Sequence, residues 1–228
     1  MTATELDERL DAFASDPLFQ NPDPKLGVIG VKVFEDGGML TGSAYFREPW
    51  GTSRIYGIID PRYRGMQFIN ESKLEQLVRG CAKRHLAFTA HCQGDAAVET
   101  LIRVYEKVNK DLPIGPTRST VTHSSFMTAQ AIQGAAKLGV AVDLQPAWLY
   151  LDARTLVAQF GDDRLKSFIP LKSLFEAGVV AGGGSDHMQK VGSIRSVNPY
   201  NPFLGMWIAV TRSARWHDQP IHPEQALS

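Results

Sequence analysis

Short apolar runs alternate with amphipathic stretches along most of this chain. The apolar runs of strand length cover residues 27–34, 86–90, 119–122, 140–144 and 179–181. Between them, apolar residues recur with the spacing of helices, most clearly after the capping-box pattern Ser72-Lys73-Leu74-Glu75. Strand and helix thus alternate five times, which predicts an α/β fold with a parallel sheet.

Two segments fall outside this alternation. Residues 1–20 predict a leading helix, which begins at a capping box between Thr2 and Glu5. Residues 35–66 are rich in glycine and aromatic residues and have no clear period, so we expect a long active-site loop that forms a wall or lid. No change in composition indicates a second domain.

The charge balance excludes several classes of partner. The chain has 24 basic and 24 acidic residues, interspersed along its length, which argues against nucleic acid or a membrane surface as a partner.

The sequence also lacks membrane and secretion signals. No apolar stretch approaches the roughly 20 residues that cross a bilayer, and the first residues lack a signal-peptide pattern. Cys81 and Cys92 have no zinc or redox spacing, so we expect buried thiols in a cytoplasmic protein.

Residues suited to metal binding or proton transfer recur in phase with the strands. Lys32 lies in the first apolar run, whereas His91, His123 and Asp186 each follow a later run. His91 and His123 are about 32 residues apart, and Asp186 follows about 63 residues later. Since one strand-helix unit of an eight-unit barrel has about 30 residues, these spacings correspond to one unit and to two units. This phase predicts that the polar side chains converge at one mouth of a barrel.

Each of these residues also has an ordinary structural explanation. A histidine at a strand end can simply be hydrogen-bonded, although neutral imidazole is the commonest metal ligand. Asp186 can cap a turn, or it can bind a metal ion and carry a proton. Lys32 either reaches the barrel mouth or pairs with Glu35 or Asp36, because an unpaired buried ammonium is costly.

Candidate substrate-binding residues lie near the same strand ends. His187, next to Asp186, contacts substrate or orients its neighbours. Aromatic residues in the predicted loops indicate an apolar pocket, and core packing explains them equally well: Tyr45, Phe46, Trp50, Trp148 and Tyr150. Trp148 is the substrate-binding candidate among them.

The ordered set of motifs resembles the amidohydrolase superfamily, in the branch of N-substituted formamide deformylase and the YtcJ-like proteins. The matching stretches are similar to strands four to eight of that branch: Val31 to Gly37, His91 to Ala97, Thr122-His123, Leu144 to Pro146, and Gly184 to Asp186. The resemblance runs from about Gly27 to the end. It implies that residues 1–228 are the C-terminal portion of a metal-dependent-hydrolase (β/α)8 TIM barrel.

The same resemblance implies a metal-dependent amidohydrolase with one or two divalent ions, zinc first among them. Lys32, in a carboxylated form, would be a ligand together with His91 and His123. Asp186 would be both a ligand and the general base. Metal-activated water would then attack an amide-like small molecule and break its C–N bond.

Two departures from the family pattern change the expectation for this chain. The His-x-His pair of the family's first strand is absent, so we expect an incomplete metal site and a fragment that is inactive alone. Thr122 also stands where relatives often have glutamate before the second histidine, which affects the surroundings of the ligands.

Two other functions remain open from the sequence. Five strands cannot close an eight-stranded barrel and leave exposed edges. The chain is therefore alternatively a non-catalytic barrel piece, completed by another chain or as a homo-oligomer. A third reading is a metal-free lyase in which Lys32 forms an imine with a carbonyl substrate.

Overall fold

A single parallel sheet organises the protein. The computed structural model describes residues 2–19, 25–186 and 200–228. The five strands, in chain order and in sheet order, are β1 Gly30–Phe34, β2 Ala87–Cys92, β3 Thr120–His123, β4 Ala141–Leu144 and β5 Ala181–Gly183. All neighbours pair in parallel, so all five strands end at the same rim. The predicted α/β class and parallel sheet are confirmed.

Helices connect the strands. They are α1 Ala3–Ala14, α2 Glu71–Lys83, α3 Asp95–Asn109, α4 Ala129–Leu138, α5 Pro146–Phe160, α6 Leu171–Glu176 and α7 Pro202–Thr211. Short 3-10 turns lie at Gly115–Thr117, Asp163–Ser167 and Pro223–Gln225. Within the described ranges, no helix combines the length and the apolar character needed to cross a bilayer.

Local capping explains where several helices begin and end. The box between Thr2 and Glu5 forms as predicted at α1. The box predicted at Ser72 is wrong, because Asn70 caps α2 and its side chain accepts the N–H of Lys73 at 2.9 Å. Asn is as favourable a cap as Ser, and the helix begins two residues earlier than the Ser72 pattern predicts.

The two faces of the sheet differ in burial. Phe88, Val121 and Val142 lie on the face covered by helices and are at most 1% exposed. From α3, the Tyr105 hydroxyl reaches this face and lies 2.8 Å from the carbonyl oxygens of both Phe88 and Thr120. It shares its proton between β2 and β3 and so fastens these two neighbouring strands together.

The long segment 35–66 has no helix or strand, as predicted. Its aromatic residues Phe46 and Trp50 are buried, and they pack edge-on against each other and against ring neighbours that include Phe126 and Phe160. For these two residues the pocket interpretation is wrong. They form a small core of their own, which fixes this segment to the helices.

Arg164, in the 3-10 turn Asp163–Ser167 that follows α5, fastens the same segment. Its guanidinium lies 4.3 Å from the centre of the Phe46 ring and 4.2 Å from that of Phe160. It also donates hydrogen bonds to the carbonyl oxygens of Glu48 at 3.0 Å and Pro49 at 2.7 Å. Cation–π stacking and two hydrogen bonds thus act on one short stretch of the loop.

The outer strands and the last helix remain open to solvent. Phe34 in β1 is 57% exposed, and Val180, just before β5, is 74% exposed. In the described part of the chain, each outer strand has a neighbour on one side only. Helix α7 also exposes several large apolar side chains, namely Phe203, Met206, Trp207 and Val210.

Candidate functional site

His91 and His123 meet at the rim where β2 and β3 end. Their ring centres are 4.5 Å apart and the rings are nearly perpendicular, at 76°. Both residues are buried, with 8% and 4% of their surface exposed. The predicted strand ended at Ala90, but β2 continues through Cys92, so His91 lies within the strand and is held more rigidly than a loop residue.

A local change of backbone direction brings His123 to this position. In the register of the sheet, His123 pairs with Cys92, whereas His91 pairs with Thr122. Regular alternation would therefore direct His123 to the helix-covered face, away from His91. Instead φ is +75° at His123 and +44° at Ser124, both in the left-handed region. The turn places the two rings side by side.

The start of the long loop surrounds His91. Its Nε2 atom is 3.3 Å from the Gly37 carbonyl oxygen and 3.7 Å from Oδ1 of Asp36. Because a carbonyl oxygen can only accept, the proton of the neutral ring lies on Nε2 and the lone pair on Nδ1. The Phe34 ring packs beside it, with centres 5.0 Å apart.

Residues that follow β4 surround His123. Its Nδ1 atom is 2.8 Å from Oε1 of Gln145. The Trp148 ring lies against the imidazole, with centres 5.2 Å apart and planes 33° apart. Trp148 is half-buried. The structure thus places this substrate-binding candidate directly beside one of the two histidines.

Burial keeps both imidazoles neutral. Burial, together with repulsion from His123, lowers the pKa of His91 to about 4. Burial also lowers the pKa of His123, against the opposing hydrogen bond to Gln145. The charges of Asp186 and Lys32 act on the pKa of both rings. At neutral pH each ring therefore offers a lone pair, as a metal ligand must.

Lys32 and Asp186 lie at the same rim, in more open surroundings. Lys32 is exposed and pairs in register with Thr89, on the face of the sheet opposite the helices. Its Nζ atom is 5.5 Å from the centre of the Phe34 ring. Asp186 follows β5 and is exposed, with φ at +45°. The other candidate at this strand end, His187, lies outside the described residues.

The structure excludes the predicted pairing of Lys32 with Glu35 or Asp36. Both acids are fully buried, and both have other partners. Oε2 of Glu35 accepts from the Cys92 thiol at 3.1 Å, so this cysteine does more than pack. Burial raises the pKa of Glu35 well above its usual value, and its Oε1 has no hydrogen-bond partner in the described structure.

Asp36 is a site-forming residue that the sequence did not reveal as such. Its carboxylate accepts the backbone N–H groups of Tyr45, Gln93 and Gly94, each at 2.9 Å. Burial raises its pKa to about 7, although these three hydrogen bonds favour the ionised form. Asp36 thereby joins the long loop to the turn after β2, beside His91. In the sequence, its only signal was an acidic side chain two residues after the end of a strand.

These residues fit part of a metal site. Two neutral imidazoles in contact suit neighbouring ligand positions of an ion such as zinc, which prefers nitrogen and sulfur ligands. Among residues 2–19, 25–186 and 200–228, no three His, Cys, Asp or Glu side chains come together as a metal-binding group. The described residues thus bring two imidazoles into contact, with no third side chain of these four types grouped with them.

Comparisons with known proteins agree with the resemblance found in the sequence motifs. Residues 3–228 match the family model described as the amidohydrolase family. YtcJ of Bacillus subtilis, named as an amidohydrolase, is 28% identical over 189 residues, which are 83% of this chain and 32% of YtcJ. N-substituted formamide deformylase of Arthrobacter pascens is 24% identical over 166 residues, which are 72% of this chain and 29% of the relative.

The fold also matches solved structures. An uncharacterized metal-dependent hydrolase of Pyrococcus furiosus superposes with a TM-score of 0.73 at 20% identity, covering 98% of this chain and 41% of that one. At this identity the likeness shows the fold, a five-stranded part of a TIM barrel. The chain spans about a third of the length of the curated relatives that it matches.

Proposed function

The chain belongs to the amidohydrolase family, and from this premise we propose that it supplies one side of the active site of a metal-dependent hydrolase that cleaves amide-type C–N bonds. One observation carries the proposal: two buried, neutral imidazoles in contact at the rim of a parallel sheet. The relative named for deformylation of N-substituted formamides supports the bond type.

His91 and His123 would hold the ion, through Nδ1 of His91 and one nitrogen of His123. Nitrogen ligands favour zinc over magnesium or calcium, so zinc is the proposed metal. Lys32, once carboxylated, and Asp186 would extend the ligand set from the two outer strands. A bound divalent ion would polarise the scissile carbonyl and lower the pKa of a water molecule.

The remaining chemistry is proton transfer and substrate positioning. Asp186 would accept a proton from the attacking water and deliver it to the departing amine. Its exposed position at the rim leaves room for both partners. The Trp148 ring beside His123 would provide an apolar wall for the substrate, and His187 would contact the substrate next to Asp186.

The test compares the full-length gene product with this 228-residue chain. The assays are zinc content and hydrolysis of N-substituted formamides. We expect metal and turnover in the full-length protein, and weak metal binding without turnover in the 228-residue chain. His91→Asn and His123→Asn should each abolish both, with His217→Asn as a control on a half-buried ring away from the sheet rim. A metal-free, inert full-length protein would contradict the proposal.

A second candidate is a non-catalytic barrel piece completed by another chain. The exposed apolar side chains of α7 and the open edges of β1 and β5 favour it. Sedimentation of the 228-residue chain tests it, because such a surface should drive association at micromolar concentration. A well-folded monomer at that concentration would rule out self-association.

A further inference from the structure

We infer that Gln145 is a positioning residue that fixes the tautomer of His123, and that Asp143 sets the orientation of Gln145. The inference rests on the proposed function only in treating His123 as a metal ligand. An imidazole ligand binds through the nitrogen that lacks the proton, so the group that holds the other nitrogen decides which atom faces the metal.

The chain of contacts begins at Asp143, on the open face of β4. One carboxylate oxygen, Oδ1, accepts the backbone N–H of His123 at 3.3 Å. The other, Oδ2, accepts the hydroxyl of Thr122 at 3.0 Å, and that hydroxyl lies 2.8 Å from the hydroxyl of Thr89. Both oxygens of Asp143 therefore act as acceptors, so a further polar group beside them must be a donor.

The next contact orients the Gln145 side chain. Its amide nitrogen faces Oδ1 of Asp143 at 3.5 Å, a long hydrogen bond. The reversed amide would place two acceptor oxygens against each other. The amide oxygen must then point to His123, whose Nδ1 is 2.8 Å away. Because this oxygen only accepts, Nδ1 carries the proton and Nε2 keeps the lone pair.

The surroundings leave little freedom for another arrangement. Gln145 is 5% exposed and His123 is 4% exposed, so bulk water does not compete for these groups. The Trp148 ring lies along the imidazole and restricts its rotation. The hydrogen bonds and the ring contact together hold His123 in a single orientation.

His91 has the opposite tautomer for the same kind of reason. The Gly37 carbonyl holds the proton of His91 on Nε2. The two touching rings thus present different nitrogens, Nδ1 from His91 and Nε2 from His123. One is set by the backbone of the long loop and the other by a side chain after β4, so only the second can be tested by substitution.

The tautomers are directly measurable. We would label the histidines of the 228-residue chain with ¹⁵N and record long-range ¹H–¹⁵N NMR spectra at pH 7.5 with a chelator, assigning signals with His91→Gln and His123→Gln. His217, whose Nδ1 lies 2.7 Å from the Gln219 carbonyl, provides an internal reference for a proton on Nδ1. We expect the same pattern for His123 and the opposite one for His91. A proton on Nε2 of His123 overturns the inference.

Two substitutions test the cause. Gln145→Met removes the acceptor at similar length and should transfer part of the His123 population to the Nε2–H form. Asp143→Asn should act in the same direction, because it offers a donor as well as an acceptor and lets the Gln145 amide reverse. Gln133→Met, at an exposed site on α4, is the matched control. If neither variant changes the His123 signal, the role of Gln145 is refuted. If Gln145→Met does not fold, the result for Asp143→Asn alone decides the question.

Metal affinity separates this inference from the proposed function. In the full-length gene product, Gln145→Met should weaken Zn²⁺ binding about 10- to 100-fold, the usual cost of losing a group that orients a ligand. Gln133→Met should leave it unchanged. Unchanged affinity in Gln145→Met would refute the positioning role. A wild-type protein that binds no zinc would refute the proposed function and leave the tautomer result standing.

Discussion

The middle of the sheet rim and its two outer strands are built differently. In the middle, His91 and His123 are buried, and neighbouring groups hold each ring through one nitrogen. On the outer strands, Lys32 and Asp186 are exposed at the same rim. The same predicted phase brought all four residues to one edge, so sequence spacing decides where a residue lies along a strand but not how firmly it is held.

Packing explains this difference. Each central strand has a strand on both sides, and helices cover one face, so a polar side chain there is held by neighbours from both directions. An outer strand has a neighbour on one side only within the described structure. The central histidines are therefore held from both sides, whereas Lys32 and Asp186 have such neighbours on one side only within the described structure.

The largest expected effect compares two phenylalanines in neighbouring strands. Phe88→Ala in β2 should lower the free energy of unfolding by about 3–5 kcal/mol, because it empties a fully buried site. Phe34→Ala in β1 removes a ring that is 57% exposed and should change it by about 0.5 kcal/mol or less. Urea denaturation measures both. Equal losses would show that the outer strand is packed as tightly as the centre.

The next effect is a pH dependence that comes from Asp36. Burial raises its folded-state pKa from 3.8 to about 7, so the folded state binds the proton more tightly than the unfolded chain. This stabilisation is complete below pH 4 and is lost as the pH rises through 7. Relative to Asp36→Asn, the wild type should lose on the order of 4 kcal/mol or less across this range. Urea titrations at pH 4.5 and 7.5 test it, and a difference that stays constant with pH contradicts it.

His91 contributes with the opposite sign. Its folded-state pKa is lowered from 6.5 to about 4, so the unfolded chain binds the proton more tightly. The stability it gives is present above pH 6.5 and is lost as the pH falls towards 4. With a chelator present, the free energy of unfolding of the wild type, measured relative to His91→Asn, should rise by on the order of 3 kcal/mol as the pH rises from 4 to 6.5. If the wild type instead becomes more stable than His91→Asn as the pH falls, the His91 ring is charged in the folded state.

The smallest effect concerns the link between β2 and β3. Tyr105→Phe removes the hydroxyl that lies 2.8 Å from carbonyl oxygens of β2 and β3. It should cost about 1–2 kcal/mol, because buried acceptors lose their donor. Tyr150→Phe, on a half-buried ring that packs against Trp207, is the matched control. A loss no larger than that of the control would mean that the hydroxyl does not fasten the strands.

Much of the scaffold was predictable because it depends on local pattern. The five apolar runs gave the five strands within a few residues, and the Thr2 box marks the start of α1 as the structure has it. The phase of His91 and His123 gave their meeting point. Each of these signals lies within a few residues of the element that it predicts.

The orientation of the site residues was not predictable, because it depends on distant contacts or on backbone angles. Period-two alternation directs His123 to the wrong face, and only the left-handed turn at His123 and Ser124 corrects it. The contact of Gln145 with His123 depends on that same turn. The sequence suggests Asp36 as a partner of Lys32. In the structure, the Asp36 carboxylate instead accepts three backbone N–H groups that lie up to 58 residues away in the sequence.

The Asp36 carboxylate also has a consequence for how such a protein can diversify. One side chain holds the beginning of the long loop, the turn after β2 and the surroundings of His91 in a fixed relation. The loop residues beyond Trp50 make none of these hydrogen bonds, and Ile55 and Ile59 there are 72% and 90% exposed, so this tip can vary without breaking the junction. Sequence changes at the loop tip can thus accumulate while the surroundings of His91 stay as they are.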